Sequence, residues 1–180
     1  MINSQPLFES GPRFSLVATS SLDELTTTWN FDLLMSEFRN VSILEQDTTL
    51  SLSPDSSART PVTISNVGNV ENLVSIDLQI IDNQGNPVDG VPISDRIEYN
   101  GWVIAIFGGY EDELIQPTEV RTFEIGFQSP NNNEGEIEVR VIVTPIGAAE
   151  RTKYVVLQTV ILWQRELNAD LISDDCSQLL

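Results

Sequence analysis

Histidine is absent from these 180 residues, and cysteine occurs once. Without histidine the commonest general base and metal ligand is gone, so Ser-His-Asp, Cys-His and zinc-binding arrangements are excluded within this stretch. Cys176, in Asp174-Asp175-Cys176-Ser177, has no second cysteine to meet. A free thiol and a disulfide to sequence beyond this stretch both stay open. Basic residues are scarce, with 9 Lys and Arg against 27 Asp and Glu and a net charge of −18. A polyanionic surface repels phosphate, so neither nucleic acid nor an anionic membrane is an expected partner. The acid is spread along the whole length, which describes a solvated exterior, suited to solubility first and to a salty environment second. No apolar run approaches the roughly 20 residues of a transmembrane helix, so no membrane insertion is expected in this segment. Met1-Ile2-Asn3-Ser4-Gln5-Pro6 lacks the basic-then-apolar order of a signal peptide.

What the chain does have is alternation. Between clusters of turn formers, apolar and polar residues alternate with a period of two, as in half-buried strands, and helical periodicity is hard to find. Val62 and Ile64 share one face. Val74, Ile76, Leu78 and Ile80 point one way, and Ser75, Asp77 and Gln79 point the other. Val88 to Asn100 reads as a loop with one short strand. Trp102 to Phe107 is apolar on both faces, so a central strand covered on both sides, or one bordering a neighbouring module, is expected. Phe123, Ile125 and Phe127 form another row. In the last hairpin Ile137, Val139, Val141 and Val143 are read as one inward row, with Tyr154, Val156 and Val160 as the other. The pattern predicts an all-β, immunoglobulin-like antiparallel two-sheet sandwich of about seven strands.

The chain also repeats itself. Pro12 to Phe38 laid without a gap on Ile137 to Trp163 brings Ala18-Thr19 onto Val143-Thr144, Thr27 onto Thr152, Trp29 onto Tyr154 and Phe38 onto Trp163. An offset of 125 residues is roughly one all-β domain. The expected organisation is therefore a cut from a tandem array. Residues 1–42 are the C-terminal hairpin of a preceding sandwich repeat, 43–166 a complete one, and 167–180 the start of a following repeat.

Leu52-Ser53-Pro54-Asp55, followed by Val62-Thr63-Ile64-Ser65-Asn66-Val67-Gly68-Asn69, resembles the tandem immunoglobulin-like modules of the CARDB and NEW3 kind found in archaeal and bacterial surface proteins and secreted hydrolases. Asn100-Gly101-Trp102, and Gln116-Pro117-Thr118-Glu119 leading into Phe123-Glu124-Ile125 and Ser129-Pro130, extend the likeness from Ile43 to about Trp163. Asp55 and Thr118 stand where that family usually has glycine, so these turns need not use a left-handed backbone. The resemblance implies a spacer, scaffold or adhesive module, extracellular or on the cell surface, whose partners are neighbouring repeats of the same chain and also other surface proteins or glycans.

Paired carboxylates are the remaining catalytic chemistry, and Glu111-Asp112-Glu113 and Asp174-Asp175 are the densest groups. Neighbours in sequence make a poor pair for glycoside hydrolysis, which needs two carboxyls about 5 to 10 Å apart across a cleft. No enzyme activity is expected, and no catalytic, cofactor-binding or metal residue is nominated. Calcium is the alternative reading of the loop bearing Asp82, Asn83, Asp89 and Asp95 and of Glu111 to Glu113, but no Asp-x-Asp-x-Asp-Gly loop is present and solvated acid is preferred. Asn40-Val41-Ser42 is a glycosylation pattern that matters only on export. The leading expectation is a structural or adhesive module of a large secreted or surface-layer-like protein. The alternatives are an accessory domain of a secreted hydrolase or protease, and a carbohydrate- or protein-binding module using Trp102, Phe107 and Tyr110, aromatics that core packing explains more simply.

Overall fold

The structure is a computed structural model that describes residues 11–108, 114–131 and 135–162. β1 (Arg13–Thr19) and β2 (Thr26–Asp32) form a two-stranded sheet of their own. The other described strands make two sheets. One runs β3 (Val41–Ile43), β5 (Ser57–Asn66), β9 (Val120–Gln128), β8 (Trp102–Phe107), β7 (Arg96–Tyr99). The second runs β4 (Thr48–Leu52), β11 (Lys153–Ile161), β10 (Glu136–Pro145), β6 (Val74–Ile81). The first strand of the sandwich is split, with β3 antiparallel to β5 and β4 crossing over to lie parallel to β11. With the split strand β3/β4 as A, β5 as B, β6 as C, β8 as D, β9 as E, β10 as F and β11 as G, strands A, B, E and D share one sheet and C, F and G the other, which is the immunoglobulin strand order. β7 is an extra edge strand beside D. The fold is an immunoglobulin-like β-sandwich, and the hairpin β1–β2 accompanies it.

The core lies between these sheets, where alternation places it. Val62 and Ile64 of β5, Val74, Ile76, Leu78 and Ile80 of β6, Trp102 and Ile104 of β8, and Phe123, Ile125 and Phe127 of β9 are buried on facing rows. The segment between β6 and β7 covers the outer edge of β6. Val88 N–H donates to the Ile80 carbonyl at 3.1 Å, and Leu78 and Ser94 exchange backbone bonds of 2.8 and 3.2 Å. An edge that would otherwise offer free donors is thereby closed.

The inward row expected for β11 is wrong by one residue. Val155, Leu157, Thr159 and Ile161 are buried, whereas Tyr154 is 62% exposed. The cause is register. Val141 pairs with Val155 and Val139 with Leu157, and directly opposed residues of an antiparallel pair share a face. Thr159 puts a polar residue in the inward row, while Val156 and Val160 put apolar ones on the outer row, which disguises the alternation. Tyr154 is occupied outside by the Arg140 guanidinium, 4.8 Å from its ring centre.

The turns at Asp55 and Thr118, which without glycine need not be left-handed, are left-handed all the same. Their φ values are +51° and +69°. In each turn a proline comes first and fixes φ near −65°, and the next residue must then turn left-handed to close a type II reversal. Glu119 N–H closes the second turn by donating to the Gln116 carbonyl at 2.9 Å. The β8 strand, expected to be covered on both faces or to border a neighbour, buries Trp102 and Ile104 while its outer row of Val103, Ala105 and Phe107 stays partly open.

Candidate functional site

The loop from Asn66 to Asn72 reads in sequence as a simple reversal between two strands. In the structure it also grips the chain that leads from β2 into β3. Asn69 brackets that chain, because its Oδ1 accepts from Phe38 N–H at 2.7 Å and its Nδ2 donates to the Ser36 carbonyl at 2.8 Å. Its backbone N–H donates to the Phe38 carbonyl at 2.9 Å. Asn72 Nδ2 donates to the Asn40 carbonyl at 3.1 Å and to Asn66 Oδ1 at 2.8 Å. Asn66 Nδ2 in turn donates to the carbonyls of Val70 and Ile115 at 2.8 and 2.7 Å. Asn66 and Asn72 are fully buried, so these bonds are made where an unpaired amide would be costly. A Cβ on Gly68 would collide with the Phe38 carbonyl oxygen, so only glycine lets the two backbones approach this closely. Arg151 stacks 4.2 Å over the Phe38 ring, and Arg39 Nη1 donates to the Glu71 carbonyl at 2.9 Å. No local sequence signal could reveal this clamp, since Asn69 and Phe38 are far apart in the chain.

The acidic loop residues are placed separately. Asp82 caps its own turn, its Oδ1 accepting the N–H groups of Gln84 at 2.9 Å and Asn86 at 2.8 Å. These bonds, the Asn86 N–H first, hold its carboxyl below the ordinary aspartate value. Asn83 and Asp89 are exposed, and Asp95 Oδ1 accepts from its neighbour Ser94. Among the described residues no group of three or more Asp, Glu, His or Cys is arranged to hold a metal ion. Glu111 to Glu113, Asp174, Asp175 and Cys176 lie outside the described residues.

Of the three aromatics considered for stacking, Trp102 is 3% exposed and belongs to the core, and Tyr110 lies outside the described residues. Phe107 is 40% exposed on the outer face of the β3-β5-β9-β8-β7 sheet. Its ring lies against Gly126, where a Cβ would run into it, and the Arg59 guanidinium covers it at 4.1 Å. Cross-strand register puts Arg59, Gly126, Ala105 and Arg96 in one row. The two small residues make the floor of a trough of about 410 Å³, and the two arginines stand at its walls. Each is already paired, Arg59 with Glu124 at 3.0 Å and Arg96 with Glu98 at 2.7 Å. The trough can take a small polar or planar group but has no net charge to attract one.

Compared with known families and with curated proteins, the chain matches no family model and no curated sequence. Among solved structures it is similar to the ASH/PapD-like domain 7 of human CEP192, at 13% identity over 70% of this chain and 86% of that one, TM-score 0.39. It is also similar to a family 123 glycoside hydrolase from Clostridium perfringens, at 10% identity over 66% of this chain, TM-score 0.47, where it spans only 23% of the hydrolase. A third likeness is to domains 4 and 5 of the S-layer protein SbsC, at 9% identity over 76% of this chain and 59% of that one, TM-score 0.36. At such identities the likeness is one of chain trace. What identifies the sandwich as immunoglobulin-like is its own strand order.

Proposed function

We propose that this chain is a non-catalytic structural module, a spacer of fixed length and orientation in a large secreted or cell-surface protein, with neighbouring repeats of the same polypeptide as its partners. The single observation that supports this reading is the clamp. A module that only carried its own ligand would have no use for two buried asparagines, Asn69 and Asn72, directed at the incoming chain and a third, Asn66, bracing Asn72. A spacer does, because a loosely tethered chain transmits neither distance nor direction. The even acidic surface suits an exposed, solvated rod. Protease applied to intact source cells should release fragments containing this module. Full resistance on intact cells, with cleavage only after lysis, would contradict a surface location.

A second reading, a binding module for a protein or glycan, is favoured by the trough beside Phe107. A thermal-shift screen separates the two, because a ligand that binds only the folded form raises the melting temperature. The spacer reading expects no glycan to do so through Arg59 or Phe107.

A further inference from the structure

We infer that the apolar face of β1–β2 is one layer of a second sandwich, whose covering layer is an antiparallel sheet of the β3-β5-β9-β8 kind supplied by the same polypeptide ahead of Pro12. This deepens the spacer reading and rests on it. The face is chemically distinct from its reverse. Phe14 pairs with Phe31 and Leu16 with Trp29, so all four lie on one side. They are 47 to 57% exposed. The other side carries Arg13 bonded to Asp32 at 2.7 Å and Ser15 bonded to Asn30 at 2.7 Å. A hairpin finished on one side and bare on the other is made to be covered.

What covers it follows from the internal repeat once the register is corrected. Thr19 lies 125 residues before Thr144, and Thr26 lies 126 before Thr152, the extra residue falling in the later turn. The match is physical as well as arithmetic. Thr19 and Thr26 hydroxyls meet at 3.1 Å, and Thr144 and Thr152 hydroxyls meet at 3.0 Å, at the same end of each hairpin. With that one-residue shift, Phe14 and Leu16 fall on Val139 and Val141, and Trp29 and Phe31 fall on Val155 and Leu157. Those four counterparts are at most 3% exposed, buried in the core between the two sheets of the sandwich. The gapless alignment had instead laid Trp29 on outward-facing Tyr154.

Area decides between a layer of the same polypeptide and a second copy of the chain. Seven residues by two strands make a face of about 24 by 10 Å. Even allowing for the relief of its side chains, that footprint falls short of the roughly 800 Å² of accessible surface that each partner buries in a stable complex between separate proteins, but it is normal for two strands within a sandwich. The covering sheet must therefore be tethered, and β1–β2 continues directly into the clamped segment at Ser36.

Hydrogen exchange on the 180-residue chain, and on the parent polypeptide carrying about 90 further residues ahead of Pro12, roughly the rest of a sandwich, tests this. In the shorter chain β1 and β2 amides should exchange at least ~100-fold faster than those of β10 and β11 at every concentration, and Leu16→Asp should leave the melting temperature unchanged. In the longer chain protection should rise to within about tenfold of β10 and β11, and Leu16→Asp should now abolish it. Concentration-independent protection in the shorter chain would mean docking on its own module. Protection that grows with concentration would mean a second copy, and no gain in the longer chain would mean another partner; each overturns the inference. None of these outcomes bears on the clamp at Phe38, so the spacer reading stands or falls separately.

Discussion

The hydroxyls of Thr144 and Thr152 face each other at 3.0 Å on the outer surface of the β10–β11 hairpin. The contact fixes which side chains of β11 turn inward, since the pair just inside it is Val143 with Lys153, and Val155 follows on the same face. Val155→Asp should therefore destabilise by about 3 to 5 kcal/mol, because a buried carboxylate loses hydration without gaining a partner. Tyr154→Asp should cost less than about 1 kcal/mol, the worth of its exposed stack on Arg140. Denaturant melts that ranked them the other way would restore the rejected register.

Thr159 is fully buried, and its hydroxyl has no hydrogen-bond partner among the described residues. Thr159→Val keeps the shape and removes the unsatisfied group. It should stabilise the sandwich by about 1 kcal/mol, read as a higher urea midpoint at unchanged slope. A lower midpoint would show that the hydroxyl is satisfied.

These two residues also mark where the sequence stops being legible. Strand β6 could be read directly, because its inward row is wholly aliphatic and its outward row wholly polar up to Ile80. In β11 the inward Thr159 and outward Val156 and Val160 reverse that contrast at three positions, and only the pairing with β10 resolves it. The clamp was not legible at all. The Asn69 side chain meets Phe38 and Ser36 at their backbone groups, which leave no side-chain pattern. The trough was half legible, since the exposed aromatic could be named but not Gly126, which is selected by a ring on the neighbouring strand.

Thr118 is a β-branched residue at φ +69°, a conformation that costs an L-residue about 1 to 2 kcal/mol. Glycine relieves this and gives back about 0.5 to 1 kcal/mol through unfolded-state entropy. Its N–H would still donate to the Asn66 carbonyl. Thr118→Gly should thus gain about 0.5 to 1 kcal/mol in stability by thermal melting. A loss would mean that the threonine side chain contributes more than its strain.

The carboxyls of Asp82 and Glu119 are held below their ordinary values, Asp82 first by the Asn86 N–H and Glu119 first by the Gln116 N–H. A group with a lowered folded pKa contributes stability that is full above its unfolded value and is lost as pH falls through the lowered one. Melting temperature should therefore hold from neutrality to about pH 5 and drop below about pH 4. Asp82→Asn keeps an oxygen acceptor but cannot titrate. It should make the acid limb shallower, and an unchanged limb would remove Asp82 from this account.

The central claim is that the module holds the incoming chain rigidly, and the Phe38 amide reports on it most directly. NMR relaxation should give Phe38 and Asn40 backbone order parameters near the ~0.85 of rigid structure. Asn69→Ala should lower them to below about 0.6 while β5, β9 and β10 keep theirs. Order parameters already in the flexible range in the unmodified chain, or unchanged in Asn69→Ala, would contradict a clamped spacer.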